Sequence, residues 1–142
     1  MRNYCALLVL LALPLAAEKK VIVPPEFTGG TANFSPGILV DGTLYVSGQI
    51  GQDLKTKQVP ADFETEVKTL LSNIGIVLKA AGMTYKDVVS VQVYLTDIDL
   101  FQRMNAVYTT FFPDPRPSRT TVGVTKLAAP AAHIEITVTA RK

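Results

Sequence analysis

The stretch "DFETEVKTLLSNIGIVLKAAG", residues 62–82, constrains this chain more than any other. Phe63, Val67, Leu70, Leu71, Ile74, Val77, Leu78 and Ala81 follow the i, i+4, i+7, i+8, i+11 spacing that gathers apolar side chains on one helical face. Asp62 suits the N-cap, Glu64 and Glu66 suit the positive end of the helix dipole, and Gly82 suits the stop. The spacing therefore predicts a helix over about 62–81. An apolar face of that length has to be buried against another layer.

The rest of the chain supplies that layer as strands. "ILVDGTLYVSGQI" sets two apolar runs on either side of Asp41-Gly42, a dipeptide that accepts the positive φ angles of a tight hairpin, which gives strands near 38–40 and 43–48. "DVVSVQVYLTD" alternates with a period of two and predicts a strand over about 88–96. A second amphipathic helix runs from Asp99 to Phe112, with Leu100, Met104, Val107, Tyr108 and Phe111 inward and Pro113 as its stop. Strands near 119–125 and 132–140 complete the chain. The order β-β-α-β-α-β-β implies a single α+β domain, one mixed sheet with two helices packed on one face. The other face must then be polar or meet another subunit. Residues 18–35, with Pro24, Pro25, Gly29 and Gly30, read as an irregular lead-in.

The start of the chain is of another kind. "MRNYCALLVLLALPLAAEKK" places Arg2 before a short apolar run and small residues at Ala16 and Ala17, the pattern of a secretory signal peptide. Cleavage after Ala17 would leave a domain of residues 18–142, secreted or periplasmic. The only cysteine, Cys5, would leave with the peptide, so stability must come from a packed core or from association rather than disulfides. Without Arg2 the chain carries 13 basic and 12 acidic side chains with no charge block, which calls for neither a nucleic-acid nor an anionic-membrane partner. One histidine and no cluster of ligand types argue against a metal site.

Little chemistry is left to choose from. There is no G-x-S-x-G, and "SGQIG" at 47–51 lacks the Lys-Ser/Thr and the helix start of a phosphate loop. Arg119 stands at a strand mouth behind Pro115 and Pro117, either a solvated edge charge or a planar fork for a carboxylate. Glu135 sits between Ile134 and Ile136, so alternation turns it away from them toward water or a cleft.

"YVSGQIG", "VPAD", "VLKAAGM", "VVSVQVYLTDI", "MNAVYTTFF", "RPSRTTV" and "IEI" occur in the order and spacing of one family, and from Val21 to Arg141 the chain resembles the reactive intermediate deaminases, RidA or YjgF. The resemblance implies a chorismate-mutase-like fold, a homotrimer with ligand clefts between subunits, and no cofactor. It also implies hydrolysis of 2-imino or enamine acids, such as 2-iminopropanoate or 2-iminobutanoate, to 2-keto acids and ammonia. On that resemblance Arg119 would hold the substrate carboxylate and Glu135 would position or deprotonate the attacking water. Asn105, Ser47 and Gly48 would line the cleft, and Thr121 would offer a main-chain contact. Two positions depart from the family pattern. Phe34 stands where the deaminases carry a tyrosine, and Gly123 where a glutamate is often found. Two other readings keep the cleft or the assembly without turnover: a trimer that binds or senses small carboxylic acids, and a chaperone-like structural trimer. Release of keto acid from enzymatically generated imines separates them from the first.

Overall fold

The foreseen helix is α1, Phe63–Ala80, in the computed structural model, which describes residues 18–27 and 33–142. The expected signal peptide, residues 1–17, and the Gly29-Gly30 pair lie outside the described residues. Asp62 caps α1 by accepting from the Thr65 N–H at 2.8 Å, and the chain turns away through Gly82 at φ +72°, a left-handed conformation open to glycine. Helix α2, Phe101–Phe111, lies beside it. A single 3-10 turn, Ile98–Leu100, precedes α2 because the Asp97 carboxylate caps the Asp99 N–H first. The Arg103 guanidinium then forks onto the Glu64 carboxylate at 2.5 and 2.6 Å, linking the two helices at the surface.

Six strands form one sheet: β1 Lys20–Ile22, β2 Gly37–Val40, β3 Thr43–Ile50, β4 Val88–Leu95, β5 Ser118–Gly123 and β6 Ile134–Arg141. Their order is β1-β2-β3-β6-β4-β5, antiparallel throughout except for the parallel pair β4–β5. The sheet is mixed, and the domain is α+β. β1 corrects the expected lead-in: residues 20–22 pair with β2 as an edge strand, although three residues are too few to show a period in the sequence. The β2–β3 hairpin turns on Asp41 at φ 47° and Gly42 at φ 69°, the mirror-image turn that the Asp-Gly pair signals.

Both helices cover the same face. Leu44, Val46, Val91, Val93, Leu95, Ile134, Ile136, Val138 and Ala140 point into one core with Val67, Leu70, Leu71, Ile74, Val77 and Leu78 of α1 and with Met104 and Tyr108 of α2. On the opposite face Tyr45, Ser90, Gln92, Tyr94, Glu135, Thr137 and Thr139 alternate with those core residues, and among the described residues neither helix packs over them. Tyr45 is 52% exposed there and Val122, level with Tyr94, is 40% exposed. Among the described residues no helix is long and apolar enough to cross a membrane.

Candidate functional site

Between β3 and β6 the register slips: Val46 faces Val138 and Gln49 faces Ile136, so Ser47 and Gly48 oppose Thr137 alone. This is a β-bulge, which bends a strand and re-aims its side chains. Glu135 lies beside it, and its carboxylate occupies the space over Gly48; a Cβ on that glycine would meet Glu135 Oε1 at 1.9 Å. Withdrawal from water raises the Glu135 pKa above the ordinary carboxylate value, and no cation pairs with it among the described residues. The Ser47 hydroxyl is already committed, donating to the Ser35 carbonyl at 2.7 Å, which ties down the segment that carries Phe34. Phe34 is 53% exposed and lines a cleft of about 160 Å³ with Gly48, Ile50, Gln52 and Lys57.

The Arg119 side is built differently. β5 is the outer strand next to β4, and Arg119 is level with Val91, so it points to the helix-covered face where α2 ends the layer. Its guanidinium carbon stands 4.5 Å from the Tyr108 ring centroid and 5.5 Å from that of Phe101. A cation over a ring face is attracted by the quadrupole of the ring. Arg119 stays within reach of Tyr108 and forms no ion pair among the described residues, so the fork is placed and its charge has no carboxylate partner there. A second cleft of about 330 Å³ is lined by Asn105, Tyr108, Thr109, Arg116, Pro117 and Arg119. Burial pushes the Tyr108 pKa up, against the charges of Arg119 and then Arg116. Thr121 sits one ladder step further on the same face as Arg119, with its buried Oγ1 lacking a hydrogen-bond partner.

The candidate residues thus fall into two groups: Phe34, Ser47, Gly48 and Glu135 in one, Asn105, Arg119 and Thr121 in the other. Arg119 is level with Val91 and Val138, whereas Glu135 is level with Tyr94, two strands across and three residues along. Strand spacings place their Cα atoms about 14 Å apart, with the side chains on opposite faces of the sheet. No small acid touches both within one protomer.

The protein-family model described as Endoribonuclease L-PSP matches residues 28–142. This chain belongs to that family, the RidA/YjgF proteins. A 2-iminobutanoate/2-iminopropanoate deaminase of Rattus norvegicus is 40% identical over 119 residues, covering 83% of this chain and 86% of the relative. A RutC family protein of Saccharolobus solfataricus is 42% identical over 125 residues, covering 87% and 98%. Among solved structures, one described as a putative endoribonuclease from Thermotoga maritima superposes with a TM-score of 0.81 at 35% identity, covering 87% of this chain and 97% of that one.

In this RidA/YjgF chain two buried polar residues set the frame of the Glu135 side, and sequence reasoning missed what they do. Glu66 is fully buried and accepts from the His133 N–H at 2.7 Å and contacts His133 Nδ1 at 2.8 Å, which fixes the entry to β6 two residues before Glu135. Asn73 donates to the carbonyls of Ile50 and Gln52 at 3.3 and 2.9 Å, which holds the exit of β3. The available signal was a carboxylate and an amide among the apolar positions of α1. Dipole complementarity explained the first too readily. Among the described residues no group of three potential metal ligands comes together.

Proposed function

We propose that the protein hydrolyses 2-imino acids, or their enamine tautomers, to 2-keto acids and ammonia. The observation that carries this reading is the Arg119 fork over Tyr108 and Phe101, which has no carboxylate partner among the described residues. Such a fork accepts a carboxylate bidentately and so fixes the adjacent imine carbon. Glu135 from a second copy then takes a proton from water as its oxygen bonds to that carbon. Glu135 hands that proton to the amino nitrogen of the carbinolamine, whose C–N bond breaks as the C=O forms, so that ammonium leaves, the 2-keto acid remains and the carboxylate is restored. The protonated imine is already electrophilic, so modest acid–base help is sufficient. Relatives named 2-iminobutanoate/2-iminopropanoate deaminase, at about 40% identity, support the same reading.

The 14 Å separation of the two groups supports a site shared between copies, and with it a homotrimer with clefts between subunits. The charged, apolar, then small-residue start of the chain supports export, with residues 1–17 removed and residues 18–142 as the working domain. A near-neutral chain without a basic stripe favours a small acid over a nucleic acid as substrate.

The test generates imines from 2-aminobutyrate with an amino-acid oxidase and follows their disappearance above the uncatalysed rate. Wild type should accelerate it. Arg119→Lys should raise KM sharply, because an ammonium cannot make the two-pronged contact, and Glu135→Gln should lower kcat with little change in KM. Binding of 2-ketobutyrate without acceleration would leave a small-acid binding protein instead.

A further inference from the structure

The Arg119 cleft holds a second guanidinium. Arg116 lies three residues earlier, and in a continuous strand that odd spacing would send it to the opposite face. β5 begins only at Ser118, and the approach through Pro115, Arg116 and Pro117 is not paired in the sheet. The alternation of β5 therefore does not govern Arg116, which lines the same cleft as Arg119. The lining comprises these two arginines with Asn105, Tyr108, Thr109 and Pro117, and no carboxylate. A substrate with one carboxylate would neutralise Arg119 and leave Arg116 facing the rest of the ligand.

Among the described residues Arg116 forms an ion pair with the Asp114 carboxylate at 2.7 Å, and the two side chains are 46% and 75% exposed. A pair so open to water is worth little and is easily exchanged. A ligand carboxylate entering from the cleft competes on nearly equal terms with Asp114, and it is already tethered by its other end to Arg119. Effective concentration favours the exchange. Burial opposes ionisation of Tyr108, and the charges of both arginines act against that, so the two cations share one electrostatic neighbourhood.

We propose that Arg116 is a specificity-determining residue and that the preferred substrates are 2-imino dicarboxylates, with the 2-carboxylate on Arg119 and the distal carboxylate on Arg116. A five-carbon diacid separates its carboxyl carbons by about 5 Å, a span two arginine side chains of one cleft can bracket. The inference rests on the deaminase reading for its reaction, but not for its recognition. Hydrolysis is the same as for a monoacid: water adds to the C=N carbon, ammonia leaves, and the 2-oxo dicarboxylate remains.

The experiment compares imines generated from glutamate and from 2-aminobutyrate by matching oxidases, with wild type, Arg116→Gln and Asp114→Asn. The ratio of kcat/KM for the dicarboxylic over the monocarboxylic imine should exceed one in wild type. It should fall at least tenfold in Arg116→Gln and rise a few-fold in Asp114→Asn, which frees the guanidinium. A ratio that Arg116→Gln leaves unchanged overturns the proposal. Calorimetry with 2-oxoglutarate and 2-oxobutyrate separates it from the deaminase reading. If neither imine is hydrolysed but Arg116→Gln still abolishes a preference for 2-oxoglutarate, the deaminase reading falls and the role of Arg116 stands. Equal affinities for the two oxo acids in wild type overturn that role whatever the turnover.

Discussion

At the scale of single residues, the contact between Gly48 and Glu135 separates catalysis from stability. In Gly48→Ala the new methyl would strike a carboxylate at the free end of a flexible side chain, not the backbone, so the side chain can swing aside at small cost to the fold. Displacing a reacting group by about 1 Å costs about 10²-fold in rate. Gly48→Ala should therefore lose about two orders of magnitude in kcat while its urea midpoint stays near wild type; equal losses in both would show that the glycine serves the bulge rather than the carboxylate. The raised pKa of Glu135 has its own signature. A base must be ionised, and desolvation delays ionisation, so kcat/KM should fall with decreasing pH at a point above the ordinary glutamate value, and Glu135→Gln should erase that limb. Phe34 is solvent-exposed in the protomer and lines the Gly48 cleft, so Phe34→Tyr should add one hydrogen-bonding hydroxyl to ligand or water. At roughly 0.5–1.5 kcal/mol net, that is a gain of up to about tenfold in kcat/KM. A loss of thermal stability with no gain in rate would place the ring in a subunit contact instead.

At the scale of elements, periodicity was enough wherever one face of an element was buried and the other wet. The apolar spacing of α1, the Asp62 cap and the alternation of β4 and β6 each correspond to a structural feature within a residue or two, because burial of one face dictates both the pattern and the fold. β1 was missed because Lys20–Ile22 has no room for a period, and the bulge at Ser47-Gly48 because a register slip is a property of two strands that neither records alone. Arg119 and Glu135 were legible as residues, but their placement on opposite faces depends on strand order. Tyr108, read only as an inward-facing core residue, also serves as the platform under Arg119. The Glu66–His133 link between α1 and β6 was hidden for a similar reason: a glutamate in the first turn of a helix looks like a surface charge until the partner strand is in place. Glu66→Ala would strand the His133 N–H and leave a void, at a cost of about 2–4 kcal/mol, whereas Glu66→Gln keeps the volume and one acceptor and should cost about half as much. Urea unfolding reads both values. If Glu66→Ala unfolds at the wild-type midpoint, the buried carboxylate does not hold β6.

At the scale of the whole molecule, the sheet has one face sealed by helices and one that no described helix covers, and the two candidate groups are divided between the faces. The helices cannot bring Arg119 round to Glu135, because the sheet itself lies between them. A second copy can, by laying its β5 and α2 edge against the face that carries Glu135, Tyr94 and Tyr45. The same contact would cover the exposed Tyr45 and withdraw Glu135 further from water, which raises its pKa in the direction the protomer already shows. Closed rotational symmetry then gives every copy one donor edge and one acceptor face, as in a cyclic trimer. This arrangement makes a prediction that no single-chain site shares. Arg119→Ala and Glu135→Gln should each be nearly inactive alone, yet unfolding and refolding them together in equal amounts should restore activity. Each intact cleft needs Arg119 from a Glu135→Gln chain and Glu135 from an Arg119→Ala neighbour, so random mixing recovers about one quarter of the wild-type clefts. Mixing without refolding should recover nothing if the assembly exchanges slowly, and light scattering on each preparation should report the same trimeric mass. Refolded mixtures that show that mass but no activity would place both groups in a cleft of one chain, and a persistent monomer would remove the shared site altogether.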